Sequence, residues 1–472
     1  MKIALINPPN IHHLKSVLPE PVEEERGYNP PLGLLYLAGY IQKHSPEHQI
    51  KVIDPLPENL NHQQVKEKME NFSPDILGVN VMSFTLIDAL KVAKKAKENN
   101  PKIKIVFGGP HVHIYPQKTL EQKNIDYVVL GEGEKTFYKL INNIENEEYL
   151  KQTPGLAFFD KNNNYINTGS SEFIQNLDEI PLPARNLIDN NKYYSILGTS
   201  KLVTTMITSR GCPYNCLFCD RPHLGKVFRA RTAKNVIKEI EDCLKYGIRE
   251  FLFYDDTFTI DRKRVIDICN LIIEKKLDIS WDIRARVNTV DEEMLKKLKQ
   301  AGCLRVHYGV ESGTQKILNI LRKGITLEQI EKAFKITKKS GMETLAYFMV
   351  GNREETKEDI EKTIKFAKKI NPDYVHITGT MPFPATDLYK KALEENVIKK
   401  DVWHEFAKNP DPNFAPPLWT KNLSQEEIGK YVKKAYHRFY FRPTYILKRI
   451  LKLKSFEEFK TKAKAGLKML KI

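Results

Sequence analysis

The chain has 472 residues, 41% apolar and 28% charged, the proportions of an ordinary globular protein long enough for two or three domains. It has no run of eighteen apolar residues, so no membrane span is expected, and the opening Met1-Lys-Ile-Ala-Leu-Ile-Asn-Pro-Pro9 reads as a first strand broken too soon by proline to be a secretory signal. Six cysteines do not make a disulfide framework in a chain this long, so a reducing, cytoplasmic setting is expected; the net charge of +16 gathers in residues 421–472, with fifteen Lys/Arg against four Glu, which argues against a nucleic-acid-binding face spread over the whole protein.

Residues 1–150 alternate strand and helix. Lys2–Ile6, Lys51–Ile53, Asp75–Met82, Ile103–Phe107 and Tyr127–Leu130 read as short apolar strands, while Leu32–Gln42 and Leu86–Lys97 carry apolar residues at helical spacing. That alternation predicts a parallel sheet with helices on both faces. Such sheets bind ligands beyond the C-terminal ends of their strands. Two glycine-rich loops fall at that edge, Gly108-Gly109-Pro110-His111 and Gly131-Glu132-Gly133-Glu134. Glycine there lets backbone approach a bulky ligand; each loop alone is more often an ordinary tight turn. Residues 151–199 read as a connector, with a small hairpin from Gly155–Phe159 and Tyr165–Thr168, then a stiff, proline-broken segment from Leu177 to Arg185.

A second alternation starts near residue 200. Strands are predicted at 202–208, 250–254, 280–284, 304–309, 345–350 and 374–378, and helices at 233–246, 261–276, 291–301, 326–340 and 356–370. The first of these strands runs into Arg210-Gly-Cys-Pro-Tyr-Asn-Cys-Leu-Phe-Cys-Asp220, a loop held out of regular structure by Gly211 and Pro213. Residues 401–472 form a basic helical region. Ser424-Gln-Glu-Glu427 reads as a helix start. Ile446–Ile472 spaces apolar residues between lysines, which suits either a helix packed on the second domain or a peripheral contact with an anionic membrane surface.

Cys212, Cys216 and Cys219 crowd three thiolates into eight residues, and soft sulfur ligands favour zinc, copper(I) or an iron–sulfur cluster. A structural zinc usually takes two separated pairs of ligands, and no second Cys-x-x-Cys exists here. A [4Fe–4S] cluster held by three cysteines leaves one iron open to a small molecule. The alternative is a zinc loop completed by His223 or His307. Cys243, Cys269 and Cys303 lie singly in later apolar segments.

The CxxxCxxC spacing, with Phe218 before the last cysteine, resembles the signature of the radical S-adenosylmethionine (radical SAM) enzymes, and the six strand–helix units resemble their partial (β/α)6, TIM-like barrel. In that family the three cysteines hold a [4Fe–4S] cluster whose fourth iron is chelated by SAM. The resemblance implies that Asp255 and Asp256 face the amino group of SAM, Arg286 its carboxylate, Glu311 and the adjoining Ser312 its ribose, and Phe218 its adenine. The bland alternatives are a helix cap, a solvated arginine, a surface acid on a turn and core packing. Pro30–Ile41, Phe107–His111 and Val128–Glu134 together resemble the cobalamin-binding domain that precedes many radical SAM domains, here a Rossmann/flavodoxin-like sheet. Gly108, Gly109, Gly131 and Gly133, with Ser83 and Thr85, would then hold the corrin and its tail. The Asp-x-His-x-x-Gly motif is missing, so cobalt is expected to have no histidine ligand, although His12, His13, His111 and His113 lie nearby. Two loops depart from the pattern: Gly351-Asn-Arg-Glu-Glu-Thr356 lacks the usual proline and second glycine, and Ala385 stands in a glycine position.

The implied organisation is therefore a cobalamin-binding-like domain (1–150), a linker (151–199), a radical SAM partial barrel (200–400) and a helical basic region (401–472). The implied activity is reductive cleavage of SAM and methylation of an unactivated carbon: one SAM methylates cobalamin, another yields the deoxyadenosyl radical. The electron would come from a ferredoxin or flavodoxin, and the substrate would be a small molecule or lipid. Related enzymes keep both cofactors but cyclise or rearrange instead. From another class, the rival is a non-catalytic zinc or RNA-binding module.

Overall fold

The computed structural model describes residues 1–14, 27–200, 202–220 and 225–451. His223 and the end of the basic tail, 452–472, lie outside the described residues.

The apolar runs of the first half become β1 (Lys2–Ile6), β2 (Gln49–Ile53), β3 (Ile76–Asn80), β4 (Lys104–Gly108) and β5 (Tyr127–Val129), parallel throughout and ordered β2-β1-β3-β4-β5. Strand alternation sorts their side chains. Ile3 and Leu5 face helices α1 (Leu32–His44) and α4 (Gly133–Asn142), while Ala4 and Ile6 face α2 (His62–Phe72) and α3 (Leu86–Asn99). The hairpin expected in the connector forms as β6 (Leu156–Phe159) and β7 (Tyr165–Asn167), and β6 pairs antiparallel with β5. The first sheet thus runs on to Asn167.

The second sheet is a fully parallel half-barrel, ordered β8 (Val203–Met206), β9 (Glu250–Phe253), β10 (Ser280–Ala285), β11 (Cys303–Glu311), β12 (Glu343–Val350) and β13 (Tyr374–Gly379). Helices α5 (Ala233–Lys245), α6 (Arg262–Glu274), α7 (Glu292–Gln300), α8 (Leu327–Lys339) and α9 (Lys357–Ile370) follow its strands. All five start on a Thr or Asp side chain that caps the N3 amide, and α8 and α9 complete capping boxes at Thr326 with Gln329 and Thr356 with Asp359. Phe251, Phe253, Ile283, Val306, Tyr308, Ala346 and Phe348 point at these helices and form the larger core. The six-strand alternation read from the sequence is the one observed.

An open half-barrel leaves an edge strand, and this chain covers it. Helix α10 (Gln425–Tyr440) lies on β13, and Tyr436 and Tyr440, one turn apart, accept the amides of Ile377 and Val375 at 2.9 and 3.0 Å. The aromatics of the basic region therefore pack on the barrel through α10 and α11 (Pro443–Leu451), and Tyr445 donates to the Asp373 carbonyl at 2.8 Å. Among the described residues no helix is long and apolar enough to cross a membrane.

Candidate active site between two sheet edges

The cysteine loop leaves β8 through Ser209-Arg210, which pairs antiparallel with Arg229-Ala230. Asp255, at the end of β9, fixes this start. Its carboxylate accepts the Thr208 amide at 2.6 Å, the Thr208 hydroxyl at 2.5 Å and the Ser209 hydroxyl at 2.7 Å. Asp255 is fully buried in that task, so the expectation that it faces a ligand ammonium is corrected: Asp256, exposed beside it, lines the open space instead. Ser312 is likewise turned away. Its hydroxyl sits 3.2 Å from Thr363 on α9, and the side chain is completely buried.

Cys216 is buried, Cys212 half-buried and Cys219 exposed, all without disulfides. Burial, with Asp256 and Cys216 nearby, raises the Cys212 thiol, whose charge would need a metal to stabilise it. Around a zinc ion three sulfurs would sit about 3.8 Å apart, given a Zn–S bond of about 2.3 Å. Among the described residues, one other trio of potential ligands, His12, His62 and Asp88, gathers its ligand atoms within 4.8 Å of one another. His307, the alternative zinc ligand, has both ring nitrogens engaged, to Tyr347 Oη at 3.1 Å and Asp282 Oδ2 at 3.2 Å. Cys243 and Cys269 are buried thiols pushed up to about 12 by desolvation.

Three expected residues do gather at the loop. Arg286 stacks 3.7 Å over the Tyr214 ring, places Nη1 3.6 Å from Cys216 Sγ, and donates to the Lys323 carbonyl. Glu311 pairs with Lys323 at 2.7 Å, both only 8% exposed. Glu311 adopts φ +69° where the register of β11 shifts between Gly309 and Glu311, and such a bulge re-aims a side chain. Gly309 makes this possible, because a Cβ there would come within 2.7 Å of Lys323 Nζ. Phe218 packs near Ile317, Leu321 and Met349, with Lys323 Nζ 5.7 Å from its ring centre.

The glycine loops of the first sheet line a cleft of about 270 Å³. Its walls are Gly33, Leu34 and Leu37 on α1, Phe137 on α4, and Gly78, Val106 and Val129 on the sheet; its mouth carries Gly108, Gly109, Gly131 and Gly133. Across the mouth lie Ser209, Arg210, Tyr254 and Asp256 of the half-barrel, so the C-terminal edges of both sheets share one space. Missing side chains create the room: a Cβ on Gly78 would lie 2.7 Å from Leu5 Cδ2 and 3.4 Å from Phe137 Cζ. Gly109 needs glycine twice over, with φ +104° and a Cβ position 2.7 Å from Asn80 Oδ1.

Ser83 does not join this lining. Its hydroxyl sits 2.9 Å from Nδ1 of His111, which burial holds neutral with a pKa of about 3. His12 lies on the α2/α3 side, 2.8 Å from Asp88 Oδ1 and 2.7 Å from Lys91 Nζ, and His113 alone of the four histidines lines the cleft.

A buried ion network that sequence reasoning missed joins the two halves. Glu132 Oε2 accepts from Arg229 Nη1 at 3.0 Å and from the Ile174 amide at 2.7 Å, and its Oε1 lies 2.8 Å from Arg229 Nη2 and 3.3 Å from Arg210 Nη1. Arg210 Nη2 donates to Glu134 Oε1 at 2.5 Å. Burial raises the Glu134 carboxyl, but Arg210 outweighs it and leaves the net pKa low. The signal was there in part: two acids alternating with glycines at one strand end, and an arginine opening the cysteine loop.

A parallel half-barrel with a three-cysteine loop at its C-terminal mouth is the arrangement of a radical SAM enzyme; residues 206–367 match the radical SAM superfamily and residues 22–141 the B12 binding domain. The chain is 38% identical to an uncharacterized methyltransferase of Pyrococcus horikoshii over 95% of both chains, and 31% identical to an anaerobic magnesium-protoporphyrin IX monomethyl ester cyclase of Rubrivivax gelatinosus over 90% of this chain and 76% of that one. It belongs to the cobalamin-dependent radical SAM enzymes. The fold agrees with that of the radical SAM methyltransferase TsrM of Kitasatospora setae, solved with cobalamin and a [4Fe–4S] cluster (TM-score 0.72, 16% identity, 94% and 89% of the two chains). It agrees equally with OxsB, solved with aqua-cobalamin and SAM (TM-score 0.74, 19% identity, 99% and 72%).

Proposed function

We propose that the chain is a methyltransferase that uses both cofactors on an unactivated carbon of a small molecule. The observation that carries this reading is the shared mouth: one open space bounded by the glycine loops of the first sheet and by Ser209, Arg210, Tyr254 and Asp256 of the second.

The residues fit the groups. Cys212, Cys216 and Cys219 would ligate a [4Fe–4S] cluster, being soft donors too few for a closed zinc site. The narrow, largely apolar cleft left by Gly78, Gly108, Gly109, Gly131 and Gly133 would take the tail of cobalamin. When bound, the cluster, SAM and cobalamin supply radical generation and a transferable methyl group. The protein's own share is position and charge. Arg286, against Cys216, stabilises thiolate charge and offers a fork to a carboxylate. Glu311, held in place by Lys323 at 2.7 Å, would accept hydrogen bonds from ribose hydroxyls. Asp256 would supply the carboxylate for an ammonium in place of Asp255, which holds the loop. Phe218 shields the site from water beside Ile317 and Met349. A low-potential donor such as ferredoxin or flavodoxin delivers the electron, in a reducing cytoplasm.

A second reading, oxidative cyclisation, is favoured by the relationship to the magnesium-protoporphyrin cyclase. Quantifying S-adenosylhomocysteine and 5′-deoxyadenosine in one anaerobic turnover separates the two. Both products are expected for methylation; 5′-deoxyadenosine without S-adenosylhomocysteine in the presence of substrate would replace methylation with cyclisation.

A further inference from the structure

The half-barrel's inner face carries a polar band below the cysteine loop. On each strand the residues that alternate with the helix-facing core point inward, and the parallel register brings them side by side: Arg284 beside His307, and Tyr347 beside His376. All four are half-buried, unlike the closed core on the other face. Beneath them the floor is sealed. Arg305 lies 3.4 Å from Asp282 and 3.0 Å from Glu343, and Asp282 also holds His307.

Arg284 is the exception to this local neutrality. Its guanidinium stacks 3.8 Å from the centre of the Tyr254 ring, and Tyr254 itself lines the shared mouth. The Tyr254 hydroxyl accepts from Asn29 at 3.0 Å, which fixes the ring. Among the described residues no carboxylate lies within 4.0 Å of Arg284, whereas Arg210, Arg229, Arg231 and Arg305 each have one. A guanidinium flattened on a fixed aromatic face presents its N–H groups in plane: Arg284 shares one with the Tyr347 hydroxyl and can turn the others to a planar or tetrahedral oxyanion.

We propose that Arg284, with His307 beside it and Tyr347 one strand further on, anchors an oxyanion of the substrate, so that the carbon to be modified belongs to an acidic small molecule. Arg284 lies two residues before Arg286, which sits 3.6 Å from Cys216 Sγ, so a substrate held by its charged end at Arg284 would direct its remainder toward the cysteine loop. This rests on the methyltransferase reading of that site and narrows its substrate class.

The test follows thermal unfolding of the anaerobically reconstituted full chain while inorganic phosphate or acetate replaces chloride at fixed ionic strength. Either oxyanion is expected to raise the midpoint of the wild type above chloride. The stronger of the two identifies the anchored group as phosphoryl or carboxylate. Arg284→Gln is expected to abolish the shift. Arg284→Lys keeps the charge without the planar fork and is expected to raise the half-saturating concentration about tenfold. Equal shifts in wild type and Arg284→Gln would overturn the anchor, as would no oxyanion shift in the wild type. If Arg284→Gln fails to take up iron, the lysine variant decides, and an unchanged half-saturation there is equally fatal. Wild-type iron content and SAM cleavage are read on the same preparation. Their loss counts against the cofactor reading, not against the anchor.

Discussion

Consider Glu132→Ala. Glu132 sits at the joint between the two halves of the molecule, 3% exposed, and meets Arg229, itself 3% exposed, through both oxygens. Removing the carboxylate strands the Arg229 guanidinium in the interior and frees the Ile174 amide. Breaking a buried pair from one side costs about 3–5 kcal/mol, mostly the desolvation of the charge left behind. With about 2.1 cal/mol/K of unfolding entropy per residue, 472 residues give about 1 kcal/mol/K, so the midpoint should fall by about 3–5 °C if the chain melts as one unit. The double variant Glu132→Leu with Arg229→Met removes both charges, leaves Arg210 paired with Glu134, and should recover most of that loss. Differential scanning calorimetry of the single and double variants reads this out. A single variant within 1 °C of wild type, or a double variant no better than the single, refutes the reasoning. Because the same joint sets one sheet edge against the other, Glu132→Ala should also lower the methylated product formed per 5′-deoxyadenosine.

Three further outcomes follow from other parts of the molecule. Burial raises the Glu355 carboxyl to about 7 although it accepts the Gly351 and Asn352 amides, so its contribution to stability is complete below about 4.5 and is lost as pH rises through about 7; Glu355→Gln should flatten the fall in melting temperature between pH 5 and 8, and an unchanged slope would show that other groups set it. Tyr436→Phe and Tyr440→Phe each leave a strand amide without its acceptor and should cost about 1–3 kcal/mol in urea unfolding, with added exposure of β13 to hydrogen exchange; protection equal to wild type would refute edge capping. Gly109→Ala forces a positive φ and a 2.7 Å approach to Asn80 on a side chain, so cobalamin retained after desalting should drop at least tenfold (about 1.4 kcal/mol) while iron content stays; full retention would remove the glycine loop from the site.

The elements that were legible in the sequence are those whose signal is local. The alternation of apolar strands and amphipathic helices carries both sheets, because burial on both faces of a parallel sheet leaves a near-continuous apolar run. The cysteine loop was legible because its spacing and its place after a strand are written in eight adjacent residues. What was not legible depends on pairing across long separations. Asp255 reads as a free acid at a strand end until Thr208 and Ser209, forty-odd residues earlier, are seen to occupy it. Ser83 reads as a loop hydroxyl until His111 is placed beside it. The aromatic and basic run after residue 424 suits a membrane surface as well as a protein surface. Only its pairing with β13 shows that residues 425–451 serve the barrel edge.

The most direct measurement is made on anaerobically reconstituted protein under a low-potential reductant, with metal content and SAM cleavage determined together. About four irons per chain, 5′-deoxyadenosine formed in proportion to them, and loss of both in Cys216→Ala are the expected result. One zinc per chain in place of iron, or an intact cluster that leaves SAM uncut, would contradict the assignment of Cys212, Cys216 and Cys219.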